Sequence, residues 1–391
     1  MDTISDFLTR NVNNIIPGKS ELENALRGSR KIKAYLGIDP TSTNIHLGHA
    51  VPLRKLQSLL DLGHQVVFLI GDFTTLVGDN SDKESERPIL TEEQIASNFA
   101  TYQAQASKFL DFSRVEVVHN SSWLKNLTFG QVVKLCQAFT LNDYIGREIM
   151  KKKLNSGTSI RLDELLYPIM QGYDSYYLDA DLQIGGPDQT FNMQAGRTLQ
   201  KKLRNKDAFV MSVDYLPGTD GRKMSKSWGN AVWLTDSPND VFGKVMSIND
   251  DLIIPYFKFG TNLTIEKITD YDLALKSGEN PMDIKKDLAL QITSELHSRQ
   301  DAFSAKTYFE ATIQNKETPA DIPDYVLTGK DDLKVLTILV ERKLASSSSE
   351  ARRLITQGGV KLDGQTISDY KSEVHPGVLS VGSRKFLRLI A

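Results

Sequence analysis

Two short stretches of this sequence carry side chains suited to chemistry on phosphate. His46-Leu-Gly-His49 sets two imidazoles three residues apart, and Gly221-Arg-Lys-Met-Ser-Lys-Ser227 sets three cations within five residues. The histidines follow a short apolar run, Ala34-Tyr-Leu-Gly-Ile38, and open a helix-period stretch that continues to Leu62. A helix N-terminus presents unpaired N–H groups and partial positive charge, so imidazoles there add donors to an anion site, and Gly48 lets a flat group reach the backbone. A metal pair or two surface histidines are the plain alternatives. No third His, Cys or carboxylate follows at metal-ligand spacing, which weakens the metal reading. Cations crowded between Gly221 and Gly229 repel one another until a polyanion arrives, and lysines on such a loop can close on a leaving pyrophosphate. The plain alternative is a solvated basic loop; its place directly after the last sheet strand favours function.

The elements that must hold these groups are legible as alternating runs. Ala34–Ile38, Val66–Ile70, Val115–Val118, Gln183–Ile184 and Ala208–Met211 read as strands, and helix-period stretches cover 46–62, 92–109, 131–153, 162–178 and 189–202. This is the layout of an open parallel sheet, whose ligands bind beyond the carboxyl ends of the strands. The site is therefore expected in the loops after Ile38, Ile70, Ile184 and Met211. From about 240 to 313 helical patterns dominate, and Thr318-Pro-Ala-Asp-Ile-Pro-Asp-Tyr325 opens a linker over 318–330.

The whole chain, 391 residues with 40% hydrophobic and 25% charged, has a globular composition, which excludes disordered and fibrous classes. It has no run of about 18 apolar residues and no basic, then apolar, leader, so a cytoplasmic protein without a membrane partner is expected. The single cysteine, Cys136, fits a reducing compartment. Net charge is -2, yet residues 331–391 hold 10 Lys+Arg against 7 Asp+Glu, so the tail is the basic part.

The histidine and lysine motifs, in this order and on these elements, resemble the two signatures of class I aminoacyl-tRNA synthetases. Tyr35-Leu-Gly-Ile-Asp-Pro-Thr41, Tyr167-Pro-Ile-Met-Gln-Gly-Tyr-Asp174 and Gly185-Gly-Pro-Asp-Gln189 narrow the resemblance to the bacterial tyrosyl-tRNA synthetase family, from about Lys31 to the C-terminus. The resemblance implies an α/β fold: a Rossmann-type parallel-sheet catalytic domain over 1–230 with a dimerisation insertion at about 120–160. A helical anticodon-binding domain over 231–317 and a small α+β S4-like RNA-binding domain over 331–391 would follow. Tyrosine, ATP with Mg2+, tRNA(Tyr) and a second copy of the chain are the implied partners, with no dedicated protein metal site.

Residue by residue, the resemblance places Asp174 and Tyr35 on the phenol hydroxyl, Asp79, Tyr167 and Gln171 on the α-ammonium, and Gln189 near the carboxylate. Asp39, Thr41, Gly48, Gly186 and Asp188 would hold ATP, the last two at the ribose, with Lys83 and Arg87 on the pyrophosphate side. His46, His49, Lys223 and Lys226 would stabilise the transition state as the tyrosine carboxylate attacks the α-phosphate. The loop departs from the family pattern at Asn80, commonly proline, and Asp82, commonly glycine. Pro52 stands where threonine is frequent; in a first helical turn its missing N–H costs nothing, so no kink is expected.

In the tail, Ser347-Ser-Ser-Glu350 reads as a capping box opening a helix over 351–357, with Arg352 and Arg353 in its first turn. Cations there oppose the helix dipole, which points to a phosphate partner; Lys361, Arg384 and Lys385 complete the candidate RNA surface. The rivals are a tryptophanyl-type enzyme on the same fold, disfavoured by Tyr35 and Asp174, and an RNA-binding descendant with a silent cleft, disfavoured by the intact histidine and lysine motifs.

Overall fold

The apolar runs become the centre of a six-stranded sheet. In the computed structural model the chain is described over residues 2–40, 43–78, 91–225, 228–314, 322–327, 333–382 and 385–391. Strands β1 (Val12–Ile16), β2 (Lys33–Ile38), β3 (Gln65–Ile70), β4 (Glu116–His119), β5 (Leu182–Gly185) and β6 (Phe209–Val213) lie in the order β1-β6-β5-β2-β3-β4. Five are parallel, as expected. The addition is β1, which pairs antiparallel with β6 through Val12–Val213 and Ile16–Val210. Its sequence, Val-Asn-Asn-Ile-Ile, lacks the alternation that marks a strand, and an edge position tolerates this. Ile38 lies opposite Ile70, Ile70 opposite His119, and Gly185 opposite Ser212, so the loops leaving these strands gather at one end of the sheet.

The long helical pattern over 131–153 is broken into Phe129–Cys136, Leu141–Ile145 and Glu148–Ser156. Thr140 stops it: the Asp143 carboxylate accepts the Thr140 N–H at 2.8 Å and starts a new helix. The Leu162–Tyr177 and Thr190–Arg204 helices cross closely over the sheet. A Cβ at Gly172 would lie 3.0 Å from the Ala195 backbone, and one at Gly196 would lie 2.8 Å from Ser175. That crossing brings Gln171 and Asp174 down onto the strand ends.

The histidine segment is a 3-10 turn, Leu47–His49, running into the helix Ala50–Asp61. Pro52 is its third residue, with no kink, because the first N–H groups of a helix have no partner to lose. The next turn is anchored. Arg54, 12% exposed, donates to Glu295 at 2.7 Å and to the Gly260 carbonyl at 3.0 Å, and its guanidinium lies over the Phe109 ring. Glu295 belongs to the Pro281–Leu296 helix, which is thereby fastened to the helix carrying the histidines.

The chain divides into two compact units, Met1–Ser237 with Lys244–Leu296, and Pro238–Gly243 with His297–Ala391. In the second, β7 (Asp324–Val326), β8 (Val360–Leu362), β9 (Gln365–Thr366), β10 (Gly377–Val381) and β11 (Lys385–Ile390) form a sheet in the order β7-β11-β10-β8-β9. Val335, Ile338, Leu339, Ala351 and Ile355 from two short helices cover it. Strand β7 falls inside the stretch read as a linker from its prolines: Arg388 N–H pairs with the Pro323 carbonyl, so that proline sits at a strand edge. Among the described residues no helix is long and apolar enough to cross a membrane.

Glu295→Gln should leave the Arg54 charge largely buried and poorly paired, lowering unfolding free energy by about 3 kcal/mol. Urea titration should show this, and an Arg54→Met/Glu295→Leu double variant should recover most of the loss.

Candidate active site

A cavity of about 290 Å³ opens at the gathered strand ends. Seven residues singled out in the sequence line it: Tyr35, Asp39, His49, Tyr167, Gln171, Asp174 and Gln189. Asp174 is 1% exposed and is not left alone: Oδ1 accepts the Trp123 Nε1–H at 2.7 Å and Oδ2 accepts an Asn120 Nδ2–H at 3.1 Å. Burial nevertheless outweighs these bonds and pushes its carboxyl up to about 8. Burial beside Asp174 likewise drives the Tyr35 hydroxyl well above its ordinary value, so that ring stays a neutral donor.

The bonds continue along the cavity floor. Asn120 also donates to Thr74 Oγ1 at 3.1 Å, Thr74 donates to Asp39 Oδ1 at 2.9 Å, and the Tyr167 hydroxyl donates to Asp39 Oδ2 at 2.9 Å. Asp39, which the resemblance puts on ATP, is thus joined to Tyr167, which it puts on the ammonium. Gly71 makes room: a Cβ there would lie 2.1 Å from Asp39 Oδ1 and 2.4 Å from Thr74 Oγ1.

The histidines are packed against each other with ring centroids 4.1 Å apart. His49 Nδ1 lies 3.2 Å from the His46 N–H; in the tautomer that accepts it, Nε2 carries the proton and donates. The His49 N–H goes to the His46 carbonyl, and His46 Nδ1 is buried with no protein partner. The flat group lying on Gly48 is the His46 imidazole itself, 3.0 Å from where a Cβ would be. Burial lowers His49 to about 4; burial, with His49 and Lys223 nearby, lowers His46 to about 2. Both rings are therefore neutral hydrogen-bonding groups at pH 7.

Lys223 comes from the far side of the sheet and is held near them. The chain after the lysine loop is stapled to the histidine turn, Leu47 N–H to the Val232 carbonyl at 2.8 Å and Leu234 N–H to the Ile45 carbonyl at 3.0 Å. Lys223 Nζ stands 3.7 Å from Asp188 Oδ2 and 4.8 Å from the centre of the Tyr215 ring. Arg222 is occupied: Asp220 accepts from its Nε at 2.8 Å, and the guanidinium covers Trp228. Asn230 and Arg222 hold Asp220 down at about 2, so the Arg222 charge is answered within the loop. At Gly186, a Cβ would lie 2.6 Å from Asp188 Oδ1. Thr41, Asp79, Asn80, Asp82, Lys83, Arg87, Lys226 and Arg384 lie outside the described residues.

Asn120, Trp123, Thr74, Gly71, Tyr102 and Tyr215 were missed by sequence reasoning. Extending the strand-end rule to β4 would have found the first two, since Asn120 directly follows its last residue. Tyr102 lines the cavity and meets the His49 ring edge-on.

In the tail the helix begins earlier than expected, at Ser348. Ser347 caps it by accepting the Glu350 N–H, but the Glu350 carboxylate turns to Ser346 instead of closing the box. Arg352 is consequently the middle residue of a nine-residue helix and Arg353 lies in its last turn, where a cation suits the dipole, so the dipole argument for a phosphate partner falls away. Both remain on the surface with the exposed Lys361, Arg352 over the Tyr370 ring and Arg353 4.0 Å from Glu350. Lys385 donates to the Leu344 carbonyl.

Between pH 6.5 and 8 His46 and His49 are neutral in the folded form while the unfolded imidazoles give up their remaining charge, so the two add a little stability as pH rises. Lys55, which burial lowers to about 7, works in the same direction, whereas Asp174 opposes both: its unfolded carboxyl has lost its proton while the folded one keeps it up to about pH 8, so its own contribution to the stability of the ligand-free protein falls as pH rises through this window. Across the same range the Tm of Asp174→Asn should therefore rise more steeply with pH than that of the parent, the difference being the Asp174 contribution.

Comparison with known proteins matches residues 27–314 to the tRNA synthetases class I (W and Y) and residues 334–379 to the S4 domain. The chain is 41% identical to a tyrosine–tRNA ligase of Thermotoga maritima, over 98% of this chain and 96% of that protein. It is 43% identical to one from Bordetella avium, over 95% and 92%. The crystal structure of tyrosyl-tRNA synthetase complexed with L-tyrosine from Archaeoglobus fulgidus shares the fold, with a TM-score of 0.61 at 24% identity over 78% of this chain and all of that one. Full-length similarity at this level, with both profiles in the order the fold requires, has one outcome: the chain belongs to the class I tRNA synthetases of the tryptophan and tyrosine family and carries a C-terminal S4 domain.

Proposed function

We propose that this chain is a tyrosine–tRNA ligase, forming tyrosyl-adenylate and pyrophosphate from L-tyrosine and ATP and then passing tyrosine to the 3′-terminal adenosine of tRNA(Tyr). The observation that carries the choice of amino acid is the Asp174 carboxyl, buried at the cavity floor with Tyr35 beside it. A phenol hydroxyl is donor and acceptor at once, and an acceptor and a donor answer it; an indole offers only a donor and leaves the Tyr35 hydroxyl unanswered, and a phenyl ring leaves both groups so. Discrimination of this kind is one for which this enzyme family is the standing example.

The carboxylate of tyrosine is already ionised and pyrophosphate leaves readily, so positioning and charge stabilisation suffice and no side-chain nucleophile is needed. Asp79, Tyr167 and Gln171 take the ammonium, and Gln189 lies by the carboxylate. Asp39, Thr41, Gly48, Gly186 and Asp188 hold the nucleotide, with Lys83 and Arg87 toward pyrophosphate. Neutral His46 and His49 donate hydrogen bonds, and Lys223 and Lys226 supply positive charge that answers the negative charge developing on the phosphates. Magnesium arrives as part of the MgATP substrate.

We assign residues 1–230 to catalysis, 231–317 to anticodon reading and 331–391 to RNA binding, and place the work in the cytoplasm as a homodimer. The exposed apolar side chains of the 129–162 stretch support the dimer: Phe129 is 84% exposed, Leu162 81%, Leu141 61% and Leu154 50%.

Pyrophosphate exchange with a panel of amino acids should proceed with tyrosine and not with tryptophan or phenylalanine; a folded protein that gives none with tyrosine would overturn the proposal. Lys226→Ala should cut the exchange rate by roughly a hundredfold or more while changing tyrosine affinity little. Replacing Arg352 and Arg353 with Ala should weaken tRNA binding and flatten its salt dependence in a filter-binding series, and an unchanged slope would remove them from the RNA surface.

A further inference from the structure

We infer that Tyr215 is a positioning residue of the nucleotide site: its ring holds Lys223 ready, and its hydroxyl sets the Asp188 turn. The inference rests on the functional reading above.

Tyr215 lies two residues beyond β6 and is 41% exposed, so core burial does not account for an aromatic ring there. What it touches does. Its hydroxyl accepts the Asp188 N–H at 3.3 Å, in the 3-10 turn Pro187–Gln189 that also carries Gln189 into the cavity wall. The same hydroxyl lies 3.0 Å from where a Cβ on Gly186 would stand. Lys223 Nζ lies 4.8 Å from the ring centre and 3.7 Å from the Asp188 carboxylate. One side chain thus meets Gly186, Asp188 and Lys223, the residues assigned to ribose and phosphate at this end of the site.

The chemistry suits a resting place better than a permanent bond. An ammonium over an exposed aromatic face is favoured roughly two- to fivefold, so the ring biases Lys223 toward the site without competing against a triphosphate. Asp188 adds an attraction that is screened by solvent at its 24% side-chain exposure. When a nucleotide arrives, its ribose hydroxyls claim Asp188 and its phosphates claim Lys223, and the lysine has only a short way to move. The hydroxyl has a separate task, because holding the Asp188 backbone fixes where that carboxylate points.

The two tasks separate by substitution in the full-length protein, read by tyrosine-dependent pyrophosphate exchange. Tyr215→Phe keeps the ring and loses the hydroxyl: KM for ATP should rise about threefold with kcat within about twofold of the parent. Tyr215→Leu loses both: KM for ATP should rise similarly and kcat should also fall about fivefold. KM for tyrosine should stay constant throughout, which reports an intact fold. In a Lys223→Ala background Tyr215→Leu should cause no further loss of kcat. Equal kcat in the Phe and Leu variants, or a full additional loss on top of Lys223→Ala, would overturn the inference. Should the Leu variant fail to fold, Tyr215→Gln, polar and without a ring, makes the same comparison. Absence of exchange in the unsubstituted protein would instead overturn the functional reading, and this inference with it.

Discussion

A carboxyl group taken almost wholly out of water sets the terms for the rest of the catalytic unit. Asp174 can be buried because Trp123 and Asn120 donate to it, and those donors can be there because β4 ends where it does, with Asn120 next in the chain. Asn120 is itself fully buried and must satisfy its own groups, which it does through Thr74 and the Phe73 N–H. The line runs on to Asp39 and Tyr167, so two residues 128 apart in the chain share one polar floor. Such a network is stable only when every member is paired, which explains a glycine at 71 where any side chain would strike it.

Around that floor the two motifs assigned to phosphate chemistry are held together by backbone bonds. The histidine turn and the strand-like segment after the lysine loop exchange hydrogen bonds on both sides of His46, whose ring also meets Trp233 edge-on. Farther along the same helix Arg54 and Glu295 fasten it to the helical region. The imidazoles thus sit between two fixed points, with their orientation set before any ligand arrives.

Much of this was legible in sequence where a single physical rule decides the outcome. The hydrophobic runs 34–38 and 66–70 read as buried parallel strands, and the rule that ligands meet strand ends pointed to the loops after Ile38, Ile70, Ile184 and Met211, while Tyr35, Asp39 and Gln189 themselves came from the family resemblance. Other features were hidden because their cause lies between distant residues. Val12–Ile16 has no alternation and becomes a strand only because β6 offers an open edge. Trp123 reads as an ordinary core aromatic until Asp174 needs a donor. Ser347 caps the tail helix as expected, but the helix starts right after it at Ser348 instead of at Ala351, which moved Arg352 and Arg353 out of the first turn and away from the positive end of the dipole. Tyr215 had no signal at all, since its meaning comes from Lys223 folding back over it.

The neutrality of the two histidines has a consequence for turnover. A cleft lined by permanent cations attracts any polyanion, including the pyrophosphate it has just made. Here the fixed part of the cleft offers donors without net charge, and positive charge sits on a lysine that already has Asp188 and Tyr215 to return to. Under the proposed function, a lysine that returns to Asp188 and Tyr215 takes its share of the grip on phosphate with it, so pyrophosphate can leave while the adenylate stays held by uncharged donors.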